Sequence, residues 1–153
     1  MLFRSVVNLA ALAPSQPADV HGGAGNDRIT GGAGHDILLG GLGDDTLTGG
    51  NGDDLLIGGA GLDRLVGSNG SDMLIAGILD DPCHELNLRG VLDAWRSAAT
   101  SAAKLAAAQP LIARVLDDAV SDMLTGTAGV DLFAVSRLDR IIDLTAQDLV
   151  ART

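Results

Sequence analysis

A chain of 153 residues has room for one domain of ordinary size, yet with 21 Gly, two Phe, one Trp and no Tyr its core has to be built from aliphatic side chains and Ala, which suits a thin, regular core. The formal charge of −10 comes from 20 acids against 10 Lys and Arg, and every acid except Glu85 is Asp; short carboxylates among glycines suit a hard cation, and the sign excludes a nucleic-acid surface. The single Cys83 excludes an internal disulfide, and no apolar run reaches the roughly 18 residues of a transmembrane helix.

Residues 1–21 carry one Arg, a short apolar stretch and Ala11-Leu12-Ala13, which has the outline of a signal peptide. Asn8 interrupts the stretch and Pro14 follows the supposed cleavage site, so a linker or short fraying helix is expected instead.

From Gly22 to Ile75 the sequence divides without a gap into six nine-residue units: GGAGNDRIT, GGAGHDILL, GGLGDDTLT, GGNGDDLLI, GGAGLDRLV and GSNGSDMLI. Glycine holds the first and fourth positions throughout and the second in all units but the last, where Ser68 stands. The sixth position is always Asp: Asp27, Asp36, Asp45, Asp54, Asp63 and Asp72. The eighth is always a branched aliphatic: Ile29, Leu38, Leu47, Leu56, Leu65 and Leu74. A disordered Gly-rich linker would not hold Asp and Leu at fixed offsets for so long.

Each unit reads as a six-residue turn followed by a three-residue strand. The glycines let the chain reverse tightly while its carbonyls converge. The strand triplet alternates outward, inward, outward, which sends the eighth-position aliphatic into a core one side chain thick. One unit cannot bury that residue alone, so units stack. Two units complete one turn of a right-handed solenoid, which makes alternate units neighbours in one sheet at about 4.8 Å. The sixth-position carboxylates then stack in two columns and repel unless a divalent cation lies between successive loops.

These units resemble the G-G-x-G-x-D-x-U-x repeat of the RTX, or hemolysin-type, calcium-binding family. The resemblance implies a parallel β-roll, export from a Gram-negative type of bacterium and folding driven by extracellular calcium. It makes Asp27, Asp36, Asp45, Asp54, Asp63 and Asp72 the side-chain ligands. Backbone carbonyls complete the sites, those of the loop glycines Gly22, Gly31, Gly40, Gly49 and Gly58 and of third- or fifth-position residues. About four full calcium sites are expected, between Asp27 and Asp45, Asp36 and Asp54, Asp45 and Asp63, and Asp54 and Asp72. Asp44 and Asp53, at fifth positions, are expected to stay solvated.

Residues 76–113 break the period, and Glu85 to Ala108 reads as one helix by its Ala and Leu content. Leu88, Leu92, Trp95, Ala99, Ala102 and Ala106 form an apolar stripe, with Pro82 suited to the start of the helix and Pro110 to its exit. The stretch around Asn87 to Trp95 resembles a helical insertion found within C-terminal repeat regions of large secreted bacterial proteins.

In residues 114–153, GTAGVDLFA (Gly126–Ala134) keeps the nonapeptide frame with Asp131 and Phe133 in the Asp and core positions. The loop 117–122 contains no Gly, which counts against a full calcium site there. Leu138 to Leu144 reads as the strand that closes the array, where a cap must protect the sheet edges.

Outward positions differ between alternate units. Odd units present Arg28, Thr30, Thr46, Thr48, Arg64 and Val66; even units present Ile37, Leu39, Leu55, Ile57, Met73 and Ile75, an apolar strip that needs a cover. The helix of the insertion is expected to fold back onto it, a homodimer or a larger parent protein being the alternative cover. Cys83-His84 lacks a second Cys for zinc, His21 and His35 lack partners and are expected to be exposed, and no Gly-Lys-Ser or Gly-Lys-Thr follows the glycine loops. The expected molecule is therefore an all-β parallel β-roll with a helical insertion and a short C-terminal β cap, secreted, binding calcium and not an enzyme. A calcium-dependent adhesion module or a fragment of a larger exported protein is the alternative.

Overall fold

The computed structural model describes residues 5–8, 16–80, 87–145 and 147–152. In chain order the elements are β1 (Val6–Asn8), β2 (Asp19–Ala24), β3 (Arg28–Thr30), β4 (Ile37–Leu42), β5 (Thr46–Asn51), β6 (Leu55–Ala60), β7 (Arg64–Asn69), β8 (Met73–Ile75), β9 (Ile78–Leu79), α1 (Leu88–Ser97), α2 (Ser101–Ile112), β10 (Val115–Leu116), β11 (Met123–Ala128), β12 (Leu132–Val135), β13 (Arg140–Ile141) and β14 (Leu149–Arg152). Successive units alternate between two parallel six-stranded sheets, β1-β3-β5-β7-β11-β13 and β14-β12-β8-β6-β4-β2. Leu38 lies opposite Leu56 and Leu47 opposite Leu65, so units two apart pair in one constant register. The molecule is a parallel β-roll.

All six eighth-position aliphatics are fully buried between the sheets, joined by Leu124 and Phe133 from beyond the insertion. Burial of each such side chain contributes on the order of 2 kcal/mol, so the ladder is the main apolar drive for stacking. Most strands are longer than the expected triplet: β4 to β7 each run six residues, because the next unit's first three residues also pair, as Gly41 does with Gly59. The second position needs a positive φ in most turns, and Ser68 (φ 83) and Thr127 (φ 86) adopt it despite their side chains. The geometry is thus kept where the glycine is lost.

The described part of residues 1–21 corrects the expected linker or helix. Val6–Asn8 pairs with β3 and Asp19–His21 with β4, because Val7 and Val20 supply inward apolar positions that extend both sheets by one strand.

In the insertion two helices replace the single one expected. Ala98 is extended, and the Thr100 hydroxyl accepts the Ala103 N–H at 3.2 Å to cap a new helix. This break changes the helical phase, so Leu92, Trp95, Ala108 and Leu111 are buried while Ala99, Ala102 and Ala106 are exposed. Pro110 lies inside α2 rather than beyond it. Pro82 to Leu86 lies outside the described residues. At the base, β9 and β10 pair antiparallel, so the chain leaves and rejoins the roll at one place. Asp63 and Asp122, like Asp72 and Asp131, are consequently column neighbours although 59 positions apart, where 18 separate neighbours within the six units.

Both helices cover the apolar outer face of the second sheet. Ile37, Leu55, Ile57, Met73, Ile75, Leu132 and Ala134 form one cluster with Val91, Leu92, Trp95, Ala108 and Leu111. Trp95 Nε1 donates to the Ser71 carbonyl at 2.6 Å, and Lys104 Nζ lies 4.5 Å from the centre of the indole ring. Arg89 pairs with Asp19 and donates to the His35 carbonyl, which fastens the other end. Replacing Leu55→Thr together with Ile57→Thr should destabilise the monomer by about 2 to 5 kcal/mol and move the emission of Trp95, the chain's single tryptophan, to the red. A monomer with unchanged stability and emission would contradict this packing.

At the far end, Leu138 to Leu144 supplies only the two-residue β13, and the last strand is β14 on the opposite sheet. Two short strands, one per sheet, close the roll because each sheet presents its own edge.

Candidate metal centre

Each turn holds its sixth-position Asp almost completely buried, from 0 to 2% exposed, at the edge of the roll. From Asp45 onward the Oδ1 atom accepts the backbone N–H of the Asp two units earlier: Asp27 N–H to Asp45 at 2.7 Å, and Asp36 to Asp54, Asp45 to Asp63 and Asp54 to Asp72 each at 2.8 Å, while Oδ1 of Asp27 and Asp36 accepts the N–H of Ser5 and Ala18. The columns continue past the insertion, through Asp63 to Asp122 at 2.7 Å and Asp72 to Asp131 at 2.8 Å. Asp139 and Asp148 close them, accepting from Asp122 and Asp131 at 3.0 Å.

The second carboxylate oxygen has a different fate. Oδ2 of Asp27, Asp45, Asp54, Asp63, Asp72 and Asp122 is buried with no hydrogen-bond partner. Leaving a charged oxygen so costs free energy unless a cation or a proton meets it. Asp36 differs, because its Oδ2 accepts the Gly32 N–H at 2.8 Å.

The first-position glycine of each turn faces that oxygen. A Cβ on Gly22 would lie 2.7 Å from Asp27 Oδ2 and 2.6 Å from the Gly40 carbonyl oxygen, and one on Gly49 would lie 2.8 Å from the Gly67 carbonyl oxygen as well as against Asp54 Oδ2. Gly31 and Gly40 face the carbonyls of Gly49 and Gly58 in the same way. Carboxylate and carbonyl oxygens of two loops thus converge where a side chain would have stood. At Gly22 and Gly31 the contribution seen is this missing side chain, the carbonyls coming from Gly40 and Gly49; Gly67, overlooked in the sequence, joins the set.

Among the described residues no group of three or more His, Cys, Asp or Glu side chains has metal-holding geometry. Any ion would therefore take most of its oxygens from the backbone, which suits calcium and not zinc.

Burial, more than the neighbouring carboxylates, pushes these Asp residues above the ordinary 3.8: Asp54 and Asp63 to about 8, Asp72 to about 9, Asp122 and Asp131 to about 7, with Asp45 also raised. The stacked carboxylates add to the shift by mutual repulsion, against the opposing effect of the backbone hydrogen bonds.

The fifth position forms ladders that its varied residues concealed. Asp44 Oδ1 accepts Leu62 N–H at 3.0 Å, and Asn26 Oδ1 accepts Asp44 N–H at 3.1 Å. On the other edge His35 Nδ1 accepts Asp53 N–H at 2.9 Å, and Asp53 Oδ1 accepts Ser71 N–H at 2.8 Å. Asp44 and Asp53 are thus inter-loop acceptors rather than merely solvated charges, and His35 is half-buried while His21 is exposed. In the glycine-free loop 117–122, Asp118 Oδ2 accepts Gly61 N–H at 2.8 Å and Ala119 takes a positive φ. Cys83 and His84 lie outside the described residues.

The family model described as the RTX calcium-binding nonapeptide repeat matches in four copies, over residues 19–47, 39–74 and 48–81. No curated protein and no solved structure gives a significant match. Residues 19–81, with their nine-residue period, their buried Asp columns and their place in the roll, are thus a run of RTX calcium-binding nonapeptide repeats.

Proposed function

We propose that the chain is a secreted, non-catalytic module that folds when calcium fills sites between successive loops of each column. The observation that carries this is the row of buried Oδ2 atoms without partners, those of Asp27, Asp45, Asp54, Asp63 and Asp72 each beside a glycine whose missing side chain leaves the place open. Asp27, Asp36, Asp45, Asp54, Asp63 and Asp72 would hold the ions with loop carbonyls of Gly40, Gly49, Gly58 and Gly67. Asp122 has the same unpaired oxygen, which supports a site beyond the expected four. Calcium would supply positive charge that turns repulsion along each column into attraction. Because the loops meet only in the stacked roll, the free energy of binding becomes free energy of folding. Affinity is expected in the extracellular range, on the order of 0.1 to 1 mM.

Position within the column tests the sharing of ligands. Asp45 borders two proposed sites and Asp27 one, so Asp45→Ala should raise the calcium midpoint of folding more than Asp27→Ala and reduce its cooperativity. Equal shifts would count against ions shared between loops. A calcium-dependent interaction module is the second reading, favoured by the outer face of the first sheet, which no described helix covers.

A further inference from the structure

The first sheet carries on its outer face a row of register-aligned side chains, Arg28, Thr46, Arg64, Met123 and Arg140, one from each of β3, β5, β7, β11 and β13. The three arginines are exposed and stand on alternate strands, so that about 9.6 Å separates one from the next. Beside them the parallel row offers the hydroxyls of Thr30, Thr48 and Thr125, with Val66 between the last two. No outward position of these five strands is a carboxylate, in a chain with twice as many acids as bases. Among the described residues the ion pairs are Arg89 with Asp19 and Arg96 with Asp93, neither on this face. Charge is therefore segregated, with acids along the loops and unpaired cations on one flat, hydroxyl-lined side.

We propose that this face docks a linear acidic polysaccharide. Regular guanidinium groups suit a chain whose carboxylates or sulfates recur once per sugar or per disaccharide, and the threonines between them suit sugar hydroxyls. Among the described residues this surface carries no aromatic side chain on which unpaired bases would stack, and a body of charge −10 repels the dense phosphates of a duplex. The exposed large apolar side chains on this sheet, Val6 beside Arg28 and Ile142 beyond Arg140, stand at its opposite ends and not in the single cluster that lipid insertion needs. The inference rests on the calcium reading in one respect: about four bound calcium ions would bring the net charge close to −2 and remove most of the long-range repulsion of an anionic polymer.

The test uses the full chain in calcium with short dextran sulfate as the probe and neutral dextran as the control, measured by calorimetry at low ionic strength. Binding of the sulfated polymer alone is expected. The triple variant Arg28→Thr, Arg64→Thr, Arg140→Thr should lose it by about tenfold or more. Thr46 already occupies the same register, so the variant should keep the strand signal of the parent. Lysine at the same three positions should retain most of the affinity. Failure of the folded wild-type chain to bind would overturn the proposal, as would undiminished binding by the threonine variant or loss of binding with lysine. Equal binding of duplex DNA or of phosphatidylserine vesicles would overturn the assignment to a polysaccharide. Circular dichroism with and without calcium is recorded on the same samples, and the comparison is made on whichever form shows the roll. A missing calcium transition then counts against the calcium reading alone.

Discussion

Replacing Gly49 with Ala should raise the calcium midpoint of folding by about tenfold or more, or abolish the transition altogether. The added methyl would lie against Asp54 Oδ2 and 2.8 Å from the Gly67 carbonyl oxygen, so it fills the place where two loops present oxygens to each other. Gly49 does not have a positive φ, which makes the effect one of space rather than backbone strain. Gly23→Ala separates the two causes. Gly23 has φ 99 but would meet nothing within 4 Å, so its substitution should cost only the roughly 1 to 2 kcal/mol of an unfavourable backbone conformation. Calorimetric titration of both variants checks this, and equal shifts would show that the first-position glycine is not kept for its missing side chain.

In chelator, the strand content should fall as pH rises from about 4 to 9. Asp54 and Asp63 titrate near 8 in the metal-free roll and Asp72 near 9, against an ordinary 3.8, chiefly because they are buried. A carboxyl whose pKa is raised by folding keeps a proton that the unfolded chain has released. Its contribution to stability is complete below about pH 4 and is lost as pH climbs through the folded value. Protons thus do at acid pH what calcium is proposed to do at neutral pH. Circular dichroism of the chelated chain between pH 5 and 9 tests the sign, and strand content that increased with pH would contradict it. With calcium present the same interval should show little change at its alkaline end, where the carboxylates are already free of protons.

The features legible in the sequence were those repeated at a fixed offset. Ile29, Leu38, Leu47, Leu56, Leu65 and Leu74 declare the inner core because each must point inward from a strand of the same phase, and Ile37, Leu55, Ile57, Met73 and Ile75 declare the face that α1 and α2 cover. The fifth position was not legible. Asn26, Asp44, His35 and Asp53 are of three residue types, yet each accepts a backbone N–H from the loop stacked on it, and a role open to any short acceptor leaves no consensus. Asp139 and Asp148 were hidden for another reason. They complete the columns at an offset of 17 residues instead of 18 and without the glycines that mark a turn. The helix break at Ala98 to Thr100 depends on a cap rather than on composition, since the Ala-rich stretch favours helix throughout. The sixth-position aspartates were recognised from their spacing, but the division of labour between Oδ1 and Oδ2 emerges only from the stacked loops.

The central claim, that calcium completes the buried Asp columns and so folds the roll, is tested most directly by far-UV circular dichroism of the full chain at pH 7.5, first in chelator and then with several millimolar calcium, magnesium serving as the control. Calcium should produce a cooperative gain of strand signal, and magnesium, which demands a smaller octahedral shell, should not. Equal strand content in chelator and in calcium would contradict the account.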